Sequence, residues 1–168
     1  MKATHAADLT AGLLLLSGDG ARLEEWRPNA TLEVERFQLG APMAGSHELR
    51  GPSASHPKGS GEAAPGFRSS QQRDLYERRL EQHRVAFVRD LSARCARLAR
   101  EREWRLVLVL GEPHLTGPAA EVLRKDGVEA TESNRLLSWM TPAELARAIG
   151  PEVESALLAA AAGVSATR

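Results

Sequence analysis

The chain has one cysteine in 168 residues, which excludes an internal disulfide. Cys95 falls on an apolar helix face and reads as a small core residue. There is no HxxxH, no CxxC and no other metal-ligand spacing, and the five His residues, at 5, 47, 56, 83 and 114, are scattered. No metal and no cofactor is expected. GxSxG and Walker motifs are absent, and Gly18-Asp19-Gly20 lacks the strand-to-helix setting of a nucleotide loop. An autonomous hydrolase with a preset catalytic constellation therefore finds little support. No apolar run approaches the ~18 residues of a membrane helix. The segment 11–16 is too short for a usual signal sequence, so a cytoplasmic protein without a membrane partner is expected. No period of about 20–50 residues marks a repeat array. Net charge is also missing: 22 basic residues balance 22 acidic ones. A whole-protein preference for polyanions does not follow, and DNA is not expected as a partner.

The balance hides a local excess. From Arg68 to Arg105 there are eleven Arg against six acids, Asp74, Glu77, Glu81, Asp90, Glu101 and Glu103. Arg suits bidentate phosphate contact and base stacking better than Lys. A GC-rich coding bias, which the many Ala residues also fit, explains the excess equally well. The stretch runs without Gly or Pro for more than thirty residues and predicts one long helix over 69–103. Tyr76, Leu80, Phe87, Leu91, Cys95 and Leu98 share one face at spacings of three, four or seven. Arg78, Arg89 and Arg100, each eleven apart, line the opposite face, with Arg79 and Arg97 beside them. Ser69 or Ser70 is the expected cap, and Asp74 and Glu77 suit the early turns.

Residues 1–10 are weakly patterned and read as a flexible arm. The run 12–17 is apolar on both faces, as in a central strand. Gly18-Asp19-Gly20 is a tight turn. In 21–27, Ala21, Leu23 and Glu25 fall on one side, and Arg22, Glu24 and Trp26 on the other. After Pro28-Asn29, residues 31–39 alternate with Leu32, Val34 and, after a slip of register, Phe37 inward. Residues 40–66 hold six Gly and four Pro and almost no large apolar residue, so 40–68 is expected to be a long mobile loop. It is either functional or a solvated insertion. After the helix come a buried strand at 105–110, a loop with Glu112 and His114, a short helix at 118–125 and a strand at 127–131. Thr141-Pro142-Ala143-Glu144 is a helix start with a capping box. Pro151 is expected to divide that last helix into 142–149 and 151–162.

The order β-β-β-loop-α-β-α-β-α predicts a single α/β domain. Its mixed five-stranded sheet begins as an antiparallel meander, with helices packed on it. Asp19, Glu112 and His114 stand at strand ends where open α/β sheets place ligands, which keeps a small-molecule enzyme as a minor alternative.

A mobile Gly-rich loop running into Ser70-Gln71-Gln72-Arg73 and a basic helix resembles a known arrangement. It is similar to the central domain of archaeo-eukaryotic class I peptide chain release factors and of Pelota. It is closer still to their bacterial relatives, host-attachment-type proteins among them. There a meander leads to a loop carrying Gly-Gly-Gln, and Ser-x-x-Arg opens the long helix. Ser70 to Arg73 matches Ser-x-x-Arg, and Tyr76 and Arg79 follow where the family has an aromatic or apolar residue and Arg. Residues 106–113 resemble the strand and turn after that helix, and Leu136 with 141–145 the closing segment. The similarity covers roughly residues 12–158. It implies the fold, with a ribonuclease-H-like sheet order, and the ribosome or tRNA as partner. Phosphate contacts would come from Lys58, Arg68, Arg73, Arg78, Arg79 and Arg89. Phe67-Arg68-Ser69 stands at the Gly-Gly-Gln positions, so efficient peptidyl-tRNA hydrolysis is not expected. Any that exists would need Gln71 or Gln72 to position the water. A protein-interaction module using the same loop and helix, with no RNA, is the second reading, and zero net charge favours it.

Overall fold

Leu13 to Leu16 are apolar on both faces of one strand, which forces cover on both sides of the sheet it joins. The computed structural model describes residues 9–39 and 67–163, with side chains from residue 71 in the second segment. Residues 1–8 of the expected arm, residues 40–66 of the expected loop and the side chains of Lys58 and Arg68 lie outside the described residues. Leu9 and Thr10, at the end of that arm, are instead half-buried, Leu9 against the core and the Thr10 carbonyl accepting from the Arg105 N–H at 3.2 Å. Eight elements follow in order: β1 (Ala11–Ser17), β2 (Gly20–Arg27), β3 (Ala30–Gln38), α1 (Phe67–Glu101), β4 (Val107–Leu110), α2 (Pro113–Lys125), β5 (Ala130–Ser133) and α3 (Pro142–Ala161). The sheet order is β3-β2-β1-β4-β5. β1 and β3 pair antiparallel with β2, while β4 joins β1 and β5 joins β4 in parallel. This is the mixed five-stranded sheet of ribonuclease-H-like order.

The chain divides into two compact units, Met1–Leu39 with Phe87–Arg168, and Gly40–Ala86. In the first unit the sheet has a core on each face. Leu14, Leu16, Leu23, Val107 and Val109 meet Leu91, Cys95 and Leu98 of α1 and Leu115, Ala119 and Leu123 of α2. Leu13, Leu15, Trp26, Leu106, Leu108 and Leu110 meet Leu145, Ile149, Val153 and Leu157 of α3. Gly12 is where Trp104 crosses β1: a Cβ there would lie 2.4 Å from the indole ring. Gly111 ends β4 at φ +151, and a Cβ would meet the Leu16 carbonyl oxygen at 2.9 Å.

Several expectations need correction. The long helix starts at Phe67, and its apolar face is fully buried only from Val88 onward; Tyr76, Leu80 and Phe87 are half-buried. Leu32 is 58% exposed rather than inward. The slip of register is real: Leu23 faces Glu35 while Glu24 faces Glu33, a bulge that turns Val34 and Phe37 toward the core. The short helix begins at Pro113, not 118, because Pro at the first position loses no helical bond; Pro118 sits inside and costs one. His114 is therefore in a helical first turn rather than a loop. β5 starts three residues later than expected and ends two later, at Ser133. Pro151 does not divide α3, where the continuous stripe Ile149, Val153 and Leu157 outweighs one missing bond to the Arg147 carbonyl.

Candidate functional site

In the segment of α1 up to Ala86, Gln71, Gln72, Arg73, Arg78 and Arg79 are all exposed. No Gly or Pro interrupts this stretch, so helix propensity favours a regular helix here. The 3.6-residue period puts Arg78 two turns along the line of Gln71. Arg73 and Arg78 make no ion pair with a described residue, and Arg79 is engaged. Arg84 lies 3.9 Å from Glu81 one turn earlier. Both Gln side chains are on helical backbone, with their amides open to water.

From Phe87 onward the helix and the turn after it are basic, and part of that charge is committed. Arg94 donates from Nε to Glu35 at 3.1 Å, Arg100 to the Asp126 carbonyl at 2.9 Å, and Arg102 to Glu25 at 3.1 Å. Arg89 is exposed and close enough to Glu121 to help hold that carboxyl below its ordinary value, the main cause being Lys125. Arg97 is exposed and makes no ion pair with a described residue. The line Arg78, Arg89, Arg100 thus differs residue by residue, and Arg100 is a docking contact.

Glu25 organises the end of this unit where α1 returns to the sheet. It is buried, and it accepts from Trp104 Nε1 at 3.0 Å, Arg102 Nη1 at 3.1 Å and Arg27 Nε at 2.7 Å. Burial pushes its carboxyl up, but the Trp104, Arg27 and Arg102 hydrogen bonds and the Arg27 charge outweigh it. The net shift is downward.

At the carboxyl edge of the sheet, His114 Nδ1 lies 3.3 Å from Glu112 Oε2, both about half exposed. Asp19 accepts instead from Ser17 Oγ at 2.8 Å within its own turn. These contacts do not bring the three together as a catalytic set. Among the described residues, no three His, Cys, Asp or Glu side chains are grouped to hold a metal ion. No described helix is long and apolar enough to cross a membrane.

The alternation places Arg22 and Glu24 on one face of β2 with Trp26 without telling whether that face is covered; in the structure Trp26 packs in the core formed with α3. Arg22 is 7% exposed and Glu24 0%. Arg22 Nε lies 2.7 Å from Glu24 Oε1, an ion pair whose N–H is not aligned as a hydrogen bond, and neither Glu24 oxygen has a donor. Arg22 Nη2 donates to the Met140 carbonyl at 2.8 Å. The available signal was Trp26: an aromatic sharing a strand face with Arg and Glu argues that the face is covered.

An exposed basic helix whose Arg73 and Arg78 have no carboxylate partner among the described residues suits phosphate contact. No curated protein matches the sequence. Among solved structures, that of an archaeal translation termination factor, aRF1, is similar at 11% identity and a TM-score of 0.39, over 93% of this chain and 42% of that one. A structure described as an archaeal protein is similar at 12% identity and a TM-score of 0.38, over 93% of this chain and 41% of that one. The chain thus spans about two fifths of the length of these two structures. Residues 4–158, from before β1 into the last turns of α3, match bacterial archaeo-eukaryotic release factor family 10, and the chain belongs to that family.

Proposed function

We propose that this chain acts in translation by contacting ribosomal RNA or a tRNA acceptor end through residues 44–68 and the basic side of α1. Family membership supports the translation setting. The observation that carries the contact surface is the exposure of Arg73 and Arg78 without ion pairs to described residues. Lys58, Arg68, Arg79 and Arg89 add to the phosphate-binding set in this reading. It is a release- or rescue-type factor in the cytoplasm, and efficient peptidyl-tRNA hydrolysis is not part of it. Phe67-Arg68-Ser69 replaces the tripeptide, and Gln71 and Gln72 are in regular helix, where the backbone cannot rearrange around a water.

The test is the salt dependence of binding to ribosomes and to tRNA. The Arg73→Ala, Arg78→Ala double variant should bind more weakly and lower the slope of log affinity against log salt by about 0.7–0.9 per Arg. Its stability should stay within about 0.5 kcal/mol of the parent. Undiminished ribosome binding by this variant would remove the physical basis of the RNA reading. A protein-interaction surface, which zero net charge favours, would take its place. Robust ester hydrolysis of peptidyl-tRNA by the purified chain would overturn the inactive assignment, and Gln71→Ala and Gln72→Ala would then identify the water-positioning residue.

A further inference from the structure

Beside the β1–β2 turn lies a cleft of about 320 Å³, bounded by Asp19, Arg22, Phe37, Gln38, Ser138 and Trp139. That volume is at the lower end of the ~300–1,000 Å³ usual for small-ligand sites. All six residues belong to the unit that carries the sheet.

Three features set the chemistry the cleft would accept. The first is an aromatic platform. Trp139 is 72% exposed, and its Nε1 donates to the Leu136 carbonyl at 3.0 Å, so one edge of the ring is tied while the rest stays open. Such a ring stacks a planar ligand. The second is the polar wall. Gln38, Ser138 and Asp19 offer donors and acceptors, and Arg22 Nη1 makes no hydrogen bond to a described residue. A side chain nine-tenths buried that keeps donors at a cleft wall is held in place to present them.

The third feature is charge. Arg22 faces Glu24 at 2.7 Å, and Arg36, also at the cleft, is gripped by Glu33 through Nε at 3.1 Å and Nη2 at 2.6 Å. Asp19 adds a third carboxylate against two guanidiniums. A phosphate here would meet a field already neutralised and slightly negative. A purely apolar anchor would find too few apolar partners. A buried ion pair with unaligned Arg22 Nε and two undonated Glu24 oxygens is also a poor stabiliser, since well-packed apolar residues in its place are often as stable or more so.

We propose that this cleft binds a nucleoside unit, with the base stacked on Trp139 and its polar edge and ribose hydroxyls read by Arg22, Gln38, Ser138 and Asp19. The unit is either a free nucleoside or an unpaired nucleotide of an RNA strand, recognised by base and sugar rather than phosphate. The site lies apart from residues 71–79 of α1 and does not rest on their binding RNA.

The experiment titrates the full chain with adenosine, cytidine, their 5′-monophosphates and an unstructured RNA tetranucleotide, by tryptophan fluorescence and equilibrium dialysis. Trp26 and Trp104 are buried, so quenching reports Trp139. Saturable nucleoside binding is expected, and monophosphates should fall within about threefold of the nucleosides because the charges are already paired. Trp139→Ala should weaken binding about tenfold or more by removing one stacking partner. The exposed ring makes this variant safe for folding, and Gln38→Ala, also exposed, is a second probe. Binding of the tetranucleotide about tenfold tighter than the nucleosides would assign the unit to a strand; equal binding would assign it to a free nucleoside. The Arg73→Ala, Arg78→Ala variant should bind nucleosides normally, which separates this site from the helix. No saturation by about 10 mM nucleoside, a Trp139→Ala variant that binds as the parent does, or a monophosphate preferred by more than about tenfold would each overturn the proposal.

Discussion

Removing the Glu25 carboxylate strips three donors at once, and their burial decides the cost. Arg27 and Arg102 have side chains 64% and 39% exposed, so both guanidiniums regain water when Glu25 is lost. Trp104 Nε1 cannot, because the residue is buried. An unpaired buried donor costs about 1–3 kcal/mol, and the two charged hydrogen bonds, discounted for exposure, add about 1 kcal/mol more. Glu25→Ala should therefore destabilise by about 2–4 kcal/mol in urea denaturation. Trp104→Phe deletes the N–H together with part of the indole ring, so its own loss includes a packing cost. In the double variant the orphaned donor no longer exists, so the two losses should fall short of adding by about 1 kcal/mol or more. The pH profile is an independent check. The folded Glu25 carboxyl titrates below its ordinary 4.5. Its contribution is present above that value and lost as pH falls through the lower folded one. Glu25→Gln should flatten this acid limb. Additive losses in the cycle, together with an unchanged acid limb, would refute the reasoning.

Other consequences are open to direct measurement. Gly12→Ala puts a methyl 2.4 Å from the Trp104 ring and should cost about 1–3 kcal/mol by overpacking, read as a fall in the urea midpoint. Thr141→Ala removes a capping box in which Thr141 Oγ1 accepts from the Glu144 N–H and Glu144 accepts from the Thr141 N–H at 2.9 Å. The loss should be about 1 kcal/mol. Burial pushes the Cys95 thiol up to about 12, so the native protein should resist iodoacetamide at neutral pH and react only as it unfolds. Rapid modification without unfolding would place Cys95 outside the core.

The order of elements was legible because each carried its own period. A run apolar on both faces marked β1, period-two alternation marked β2 and β3, a long 3.6-residue stripe marked α1, and Thr141 with Glu144 marked the start of α3. What failed had competing local and tertiary causes. Pro118 and Pro151 are strong breakers locally, yet the buried stripes of α2 and α3 tolerate one missing bond each. Leu32 alternated correctly with Val34 but stands on the far side of the bulge opposite Leu23 and Glu24, which no local pattern locates. The alternation put Arg22 and Glu24 on the face of Trp26, but that they are buried follows only from what packs on that face. Of the candidate site, the exposure of Arg78, Arg79 and Arg89 followed from helical periodicity. The fate of Arg100 depended on where the Asp126 carbonyl falls, which is a tertiary fact. The cleft was not legible, since residues 17–38 and 138–139 meet only through folding.

The parallel pairing of β1 with β4 also has a kinetic side. Gly12 pairs with Val107, ninety-five residues later, whereas the β1–β2 and β2–β3 ladders join immediate neighbours. The meander can assemble on the microsecond scale of hairpins, about 1–10 μs, while β4 has to find β1 across more than half the chain. Until it does, a strand with four consecutive leucines has one edge unpaired, and that edge is a template for a second chain. Refolding yield should therefore depend on concentration, and the interval before β4 docks sets how much of the protein is lost to association.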